Sequence, residues 1–161
     1  MKHLPKHLRQ RWRYIAVALE SWPDAALSRG DFQRELWYAA QNLVGDTGSA
    51  DADLTVYGFA FEEGTGHAVV RVRRDEVERG RAVLACVDAV NGHPVGLRVT
   101  GVSGTVRACE EKYIRRPPVS IEERHVTLAG ADRHAVVRSH RIDANVGDGF
   151  LGGTDLDCDS D

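Results

Sequence analysis

Residues 54–73 read LTVYGFAFEEGTGHAVVRVR, and this stretch determines which fold the chain can adopt. Two segments with alternating side chains, 54–61 and 67–73, are rich in the aromatic and β-branched residues that favour strands. The short segment between them contains Gly64 and Gly66, which is typical of a turn. We therefore predict a β-hairpin in the middle of the chain.

The sequence before the hairpin predicts one strand and one helix. Residues 14–20 (YIAVALE) form a short apolar run that favours a strand. Residues 29–44 have the apolar spacing of an amphipathic helix, which begins at a capping box of Ser28 and Asp31 and ends at Gly45. A polar loop then leads to the hairpin.

The sequence after the hairpin repeats this pattern. An apolar helical face through residues 77–87 precedes a strand at 95–102, and a short helix at 105–116 ends before Pro117 and Pro118. The order strand, helix, strand, strand, helix, strand is the split βαβ (ferredoxin-like) arrangement, which occurs in RNA-binding modules of the RNA-recognition type, in small hydrolases and in metal carriers. We predict an α+β fold with a four-stranded antiparallel sheet, two covering helices and a short C-terminal helix.

The charge distribution divides the chain into three parts. Residues 1–13 form a basic N-terminal arm, since residues 1–16 carry five basic side chains and no acidic one. Residues 14–117 form the predicted α+β domain. Residues 118–161 are rich in glycine and aspartate, have a net charge of −5 and show little periodicity, so we predict an acidic, disordered tail.

The composition excludes several classes of protein. The longest apolar runs are far shorter than the roughly 20 residues of a membrane helix, and we expect a cytoplasmic protein without a membrane partner. Only three of the 21 basic residues are lysines, and 14 of the 24 acidic residues are aspartates, which is typical of a salt-loving microbe. High ionic strength would shorten the range of electrostatic attraction and favour direct contacts.

The residues do not form a recognisable catalytic or metal-binding pattern. The three cysteines lack the paired spacing of zinc sites, and no Ser/His/Asp or Cys/His arrangement follows from local spacing. Residues 21–24 lack the soft ligands of a metal carrier and the arginine loop of an acylphosphatase-like hydrolase. We therefore predict no catalytic residue, no metal ligand and no cofactor bound by this chain.

Basic side chains are the clearest functional signal. Arginines gather in the arm, at the end of the third strand and on the later helices, and guanidinium groups bind phosphates bidentately. The alternative is that Arg71 and Arg73 only pair with nearby acids, namely Glu62, Glu63, Asp75 or Glu76. Because the third strand, HAVVRVR, contains no aromatic residue, we do not expect base stacking of the RNA-recognition type.

Four segments of the chain resemble the archaeal and eukaryotic ribonuclease P protein component 2 family. They are LPKHLRQRWRYIAVAL, FQRELWYAAQNLVGDTGSADADL, GTGHAVVRVRRDEVERGRAVLACV and VGLRVTGVSGTVRACEEKYI, which together cover about residues 1–116 in the family's order. The resemblance implies a non-catalytic subunit of ribonuclease P, which helps a catalytic RNA remove the 5′ leader from precursor tRNA. The alternative is a stand-alone RNA-binding module of the RNA-recognition type.

The resemblance also implies partners and contact residues. The expected partners are ribonuclease P RNA, precursor tRNA, ribonuclease P protein component 3 and other ribonuclease P proteins, with magnesium required by the RNA. The expected RNA contacts are Arg9, Arg11, Arg13, Arg71, Arg73, Arg74, Arg107, Lys112 and Arg115. Trp37, Tyr57 and Phe59 are candidates for the surface that meets a partner protein, with core packing as the alternative. The mildly acidic composition and the tail depart from the family's pattern.

Overall fold

The computed structural model describes residues 4–115 and 119–158 of the chain. The chain divides into two compact units, the first unit (Met1–Arg115) and the second unit (Arg116–Asp161). Residues 1–3 of the predicted arm and the predicted boundary at 117 and 118 lie outside the described residues. In the described ranges, no helix has the length and apolar character to span a bilayer.

In its described residues, 4–115, the first unit contains six strands and three α-helices. In chain order they are β1 (Trp12–Glu20), α1 (Arg29–Ala52), β2 (Thr55–Glu62), β3 (Thr65–Arg73), α2 (Val77–Ala85), β4 (Ala89–Val90), β5 (His93–Pro94), β6 (Gly96–Ser103) and α3 (Val106–Cys109), which continues as a π-helix (Glu110–Ile114).

The main sheet of the first unit has the order β2-β3-β1-β6, and its neighbouring strands are antiparallel. The predicted hairpin and the mixed α+β character with an antiparallel sheet are therefore confirmed. The first strand begins earlier than predicted, because Trp12 pairs with Arg73 and Arg13 pairs with Val72. These two residues belong to the sheet, so the arm ends before Trp12.

One face of the sheet packs against α1 and α2. The alternating residues Ile15, Val17 and Leu19 of β1 are at most 1% exposed, and they share a core with Phe32 of α1 and Leu84 of α2. A period of two in the strand and of about four in the helices places the apolar side chains of each element on its inner side. Burial of this core is the main stabilising term of the first unit.

Helix α1 begins as predicted but extends further than predicted. The capping box of Ser28 and Asp31 is present, which confirms the predicted start. Gly45, with φ 70° and ψ 177°, interrupts the helix, yet a second helical segment follows and continues to Ala52. Ala52 is fully buried in the core, and this burial explains why the polar residues after Gly45 are helical and do not form the predicted loop.

The other face of the sheet is partly covered by α3 and its π-helical continuation. Cys109 is buried against Ala16 of β1 and Val69 of β3, and Tyr113 packs beside them. Gly101 of β6 lies directly beneath Tyr113, since a β-carbon at this position would overlap the tyrosine ring. The terminal helix therefore takes up the part of this face where the sheet residues are small.

The second unit is a four-stranded antiparallel sheet with the order β10-β9-β8-β7. Its strands are β7 (Ile121–Leu128), β8 (Ala131–Arg138), β9 (Arg141–Asn145) and β10 (Phe150–Thr154). One face carries a small buried cluster made of Val126, Leu128, Ala135, Val137, Ile142 and Ala144. Arg138 is only 2% exposed and forms an ion pair with Asp143.

The predicted disorder of residues 118–161 is wrong for the described part, residues 119–158. Short turns connect the strands, and Ala129 and Gly130 both have positive φ, as in a tight hairpin turn. In β8, side chains alternate between the two faces of the sheet, and Ala135 and Val137 are buried on the same face. The glycine and aspartate content that suggested disorder lies mostly outside these central strands.

Candidate nucleic-acid interface

The N-terminal arm and the end of β3 lie side by side at one end of the sheet. The backbone N–H of Arg74 donates a hydrogen bond to the carbonyl oxygen of Arg11 at 3.0 Å. A pocket of about 390 Å³ opens at this junction, and its lining residues are His7, Arg9, Gln10, Arg11, Arg73, Arg74 and Asp75. This arginine pocket is lined by residues from two predicted groups of RNA contacts, and Asp75 is the only acidic residue among its described lining residues.

An aromatic–arginine cluster lies next to the arginine pocket and consists of Trp12, Tyr14, Tyr57, Arg71 and Arg73. The guanidinium carbon of Arg71 is 3.8 Å from the ring centroid of Trp12 and 5.2 Å from that of Tyr57. The guanidinium carbon of Arg73 is 5.8 Å from the ring centroid of Trp12. Attraction between a guanidinium and the faces of aromatic rings stabilises both arginines in this position.

Tyr57 reaches this cluster because of an irregularity in β2. The register with β3 shifts between Val56 and Gly58, which is the signature of a β-bulge. The Tyr57 hydroxyl accepts a hydrogen bond from Nη1 of Arg71 at 3.3 Å, and its ring meets Tyr14 edge-on at 5.8 Å. Tyr57 nevertheless remains 49% exposed, so part of its ring faces solvent.

The two strand arginines do not have the acidic partners that the alternative interpretation required. Among the described residues, Arg73 pairs with Asp53 at 3.8 Å, and Arg71 forms no ion pair. Nε of each arginine is buried and has no hydrogen-bond acceptor in the described structure. The alternative is therefore wrong for the acids that it named, which are Glu62, Glu63, Asp75 and Glu76.

The remaining predicted RNA contacts lie apart from the arginine pocket. Arg13 pairs with Val72 in the sheet register and so lies on the opposite face of β1 from Trp12. Arg107, Lys112 and Arg115 are exposed residues of the terminal helix and its end, and none of them lines the pocket. Arg107 forms an ion pair with Glu111 at 2.7 Å.

The three residues predicted for a partner surface have different surroundings. Trp37 on α1 is 52% exposed, although its Nε1 donates a hydrogen bond to the carbonyl oxygen of Leu54 at 3.1 Å. Tyr57 belongs to the aromatic–arginine cluster. Phe59 packs against the core beside Phe32, with ring centroids 5.8 Å apart, which favours the core-packing alternative.

Two titratable groups have shifted pKa values beneath the terminal helix. Burial lowers the pKa of His67, while the carboxylate of Glu110 opposes this shift. Burial also raises the pKa of Cys109 to about 11, and Glu110 acts in the same direction. Within residues 4–115 and 119–158, no three His, Cys, Asp or Glu side chains are grouped closely enough to hold a metal ion.

A sequence profile of the Rpp14/Pop5 family matches residues 13–114, which is more than half of the chain. This chain belongs to the Rpp14/Pop5 family. The matched range runs from β1 to the end of the π-helix, and it includes Arg13, Tyr57, Arg71, Arg73 and Arg74. The family assignment confirms the resemblance drawn from the four sequence segments.

Relatives of this Rpp14/Pop5 protein are similar over different lengths. The ribonuclease P protein component 2 of Natronomonas pharaonis is 63% identical over 157 residues, which is 98% of each chain. That of Haloarcula marismortui is 58% identical over 98% of this chain and 99% of that protein. The Methanosarcina mazei protein of the same name is 38% identical over 115 residues, covering 71% of this chain and 94% of that protein.

These relatives differ in the share of the Rpp14/Pop5 chain that they cover. The Methanosarcina mazei protein is too short to contain both units, whereas the relatives from Natronomonas and Haloarcula align over nearly the whole chain. One chain in the cryo-EM structure of yeast ribonuclease MRP superposes with a TM-score of 0.46 at 14% identity, over 62% of this chain and 79% of that chain. That degree of likeness adds nothing to the assignment.

Sequence reasoning missed the contribution of Trp12 and Tyr14 to the aromatic–arginine cluster of this Rpp14/Pop5 chain. The search for stacking residues considered the third strand, whereas the aromatic rings come from β1 and β2. Trp12 and Tyr14 are two residues apart and therefore lie on one face of β1. If the first strand had been predicted to begin at residue 12 and to pair with the third strand, Trp12 and Tyr14 would have been placed beside Arg73 and Arg71.

Proposed function

We propose that this chain, a protein subunit of ribonuclease P, carries no catalytic group and acts by binding phosphates of the RNA. The observation that carries the proposal is the arginine pocket, in which Arg9 and Arg11 of the arm lie with Arg73, the last residue of β3, and Arg74, which follows it. The four arginines outnumber the two acidic residues beside them, Asp75 in the lining and Asp53, which pairs with Arg73 at 3.8 Å. The pocket therefore attracts anions.

The chemistry of arginine supports phosphate as the ligand of this pocket. A guanidinium group presents several N–H donors in a planar fork, which matches two phosphate oxygens. At the high ionic strength of a saline cell, long-range attraction is screened within a few ångströms, and contacts at hydrogen-bond distance are retained. A pocket lined by four arginines fits such conditions better than a diffuse positive surface.

Membership of the family supports three further parts of the proposal, which are the split βαβ domain, the reaction and the partner protein. The order β2-β3-β1-β6 supports a split βαβ domain, since β3 lies between the two strands that α1 connects. We infer that the RNA, with magnesium, cuts the 5′ leader from precursor tRNA in the cytoplasm. We also infer that the chain binds a component 3 type protein, and that the exposed Trp37 is part of this contact.

Cleavage of precursor tRNA in molar salt tests the proposal. Three mixtures are compared: the chain alone, the RNA with the other protein subunits, and that mixture with this chain added. We expect cleavage at reduced magnesium only in the complete mixture, because the protein supplies part of the charge neutralisation that magnesium otherwise gives. Cleavage by the chain alone, or no effect of its addition, would contradict a non-catalytic supporting role.

Substitutions in the arginine pocket test whether the pocket is responsible for the lower magnesium requirement. Arg73→Ala combined with Arg74→Ala should raise the magnesium requirement and lower the dependence of RNA affinity on salt, because each lost phosphate contact removes about 0.7–0.9 from the log–log slope. The control is Arg81→Ala, an exposed arginine on α2 that pairs with Glu78 at 3.7 Å. If the double variant and the control have the same magnesium requirement and the same salt dependence of RNA affinity, the arginine pocket is not the RNA contact.

A further inference from the structure

We propose that the aromatic–arginine cluster is a binding site for one unpaired base of an RNA strand. This inference rests on the proposed RNA binding and adds to it a class of ligand, a nucleotide that is not base-paired. The base would stack on the Arg71 guanidinium and the Tyr57 ring, while the adjoining phosphates occupy the arginine pocket.

The first argument is the position of the cluster on the sheet. Tyr14 belongs to the cluster and also packs against the group of Cys109 and Tyr113, so the cluster and the terminal helix share one sheet face. The helix covers the small residues of that face, and Tyr57 beyond it is 49% exposed. A partly exposed aromatic surface thus remains at the end of the sheet next to the arm.

The second argument is the position of the Arg71 guanidinium and its lack of an ion pair among the described residues. Its guanidinium is 3.8 Å from the centroid of Trp12 and donates to the Tyr57 hydroxyl, so the aromatic side chains define its position. In the described residues no carboxylate pairs with it, and its Nε has no acceptor. A guanidinium plane held in this way keeps a charge that no carboxylate neutralises, and such planes stack on unpaired bases.

The third argument is that the cluster and the arginine pocket are continuous. Arg73 lies 5.8 Å from the Trp12 centroid and also lines the pocket. A nucleotide presents its base and its phosphate on opposite sides of the sugar, and this pair of adjacent sites offers a surface for each. A base inside a duplex already stacks on its neighbours, so only an unpaired base can use the cluster.

The test compares two single strands that carry the same phosphates. One is an RNA of mixed sequence with about eight nucleotides, and the other is a strand of equal length without bases. Affinities for the full chain are measured by fluorescence anisotropy in molar salt. The wild-type chain should bind the strand with bases more tightly by on the order of 10-fold, since stacking of one base contributes roughly 1–3 kcal/mol.

Two variants assign this preference to the cluster. Arg71→Lys keeps the charge and removes the guanidinium plane, and Tyr57→Leu removes the ring without changing the charge. Each should reduce the preference for bases several-fold while leaving the affinity for the base-free strand unchanged. Arg81→Lys on α2 is the matched control and should keep the full preference. Circular dichroism in the same buffer shows that each variant is folded.

The outcomes separate this inference from the proposed function. If Arg71→Lys and Tyr57→Leu keep the wild-type preference, the stacking site is wrong, and phosphate binding by the pocket is unaffected. If both lose affinity for the two strands equally, the cluster supports the pocket and does not bind a base. If Arg73→Ala with Arg74→Ala leaves both affinities unchanged, the proposed phosphate site fails as well.

Discussion

Tyr113 lies over the backbone of Gly101, and a β-carbon at residue 101 would overlap its ring. Gly101→Ala should therefore displace the π-helical segment and lower the free energy of unfolding by about 1–3 kcal/mol, the usual cost of overpacking. Denaturation in molar salt measures the change. The control is Gly104→Ala, which meets no atom within 4 Å. Equal stabilities of the two variants would show that the helix does not pack on Gly101.

Arg138 should control the stability of the second unit. It is 2% exposed and paired with Asp143, and removal of one partner of a buried ion pair costs roughly 3–5 kcal/mol. We expect Arg138→Ala to unfold β7 to β10 while the first unit keeps its structure. Hydrogen exchange of the backbone amides distinguishes the two units. If the amides of β8 stay protected in the variant, the pair is not required.

A control for this prediction lies in the same sheet. Arg124 pairs with Asp155 at 2.9 Å, and both side chains are exposed, at 42% and 62%. Exposed pairs contribute at most about 1 kcal/mol. Arg124→Ala should therefore leave the protection of β7 to β10 unchanged.

His67 should make the stability of the first unit depend on pH. Its pKa is lowered by burial, so the folded protein holds a neutral imidazole where the unfolded chain, with a pKa of 6.5, already binds a proton. This contribution is fully present above pH 6.5 and is lost as the pH falls toward the lowered pKa. Denaturation at several pH values should show a shallower slope for His67→Gln than for the wild-type chain.

The control for this prediction is His140→Gln, which changes an exposed residue in a turn of the second unit. It should keep the wild-type slope. If His67→Gln keeps it too, the pH dependence comes from other groups.

Cys109 should react slowly with alkylating reagents. Burial and Glu110 raise its pKa to about 11, so its thiol is protonated at neutral pH, and the thiolate is the reactive form. Cys86 is exposed on the surface. Alkylation followed by mass spectrometry should modify Cys86 first and Cys109 only on unfolding. Equal rates would mean that the terminal helix opens readily.

The sequence predicted features that depend on neighbouring residues. The hairpin and the Ser28–Asp31 capping box follow from local alternation and local hydrogen bonding, and both are present. The predicted arm ended two residues too late because the pairing of Trp12 with Arg73 and of Arg13 with Val72 links distant parts of the chain. The arginines of the pocket were predicted as separate groups for the same reason.

The second unit was missed for a different physical reason. Its first two turns use Ala129-Gly130 and Ser139-His140, which lack the Asn-Gly or Asp-Gly pairs that identify tight hairpins most clearly. Its strands bury small side chains such as Ala135 and Ala144, which contribute little to an apolar pattern. Net acidic charge then suggested disorder, although cross-strand pairing orders the segment.

The position of the terminal helix limits how much sequence information this face could read. RNA-recognition domains stack two or three successive bases along their central strands, which requires an open sheet surface. Here Tyr113 and Cys109 cover that surface over Ala16 and Val69, and Tyr57 at its edge is the aromatic ring of the cluster that is about half exposed. A surface of this size can distinguish paired from unpaired RNA, but a base sequence would have to be recognised elsewhere.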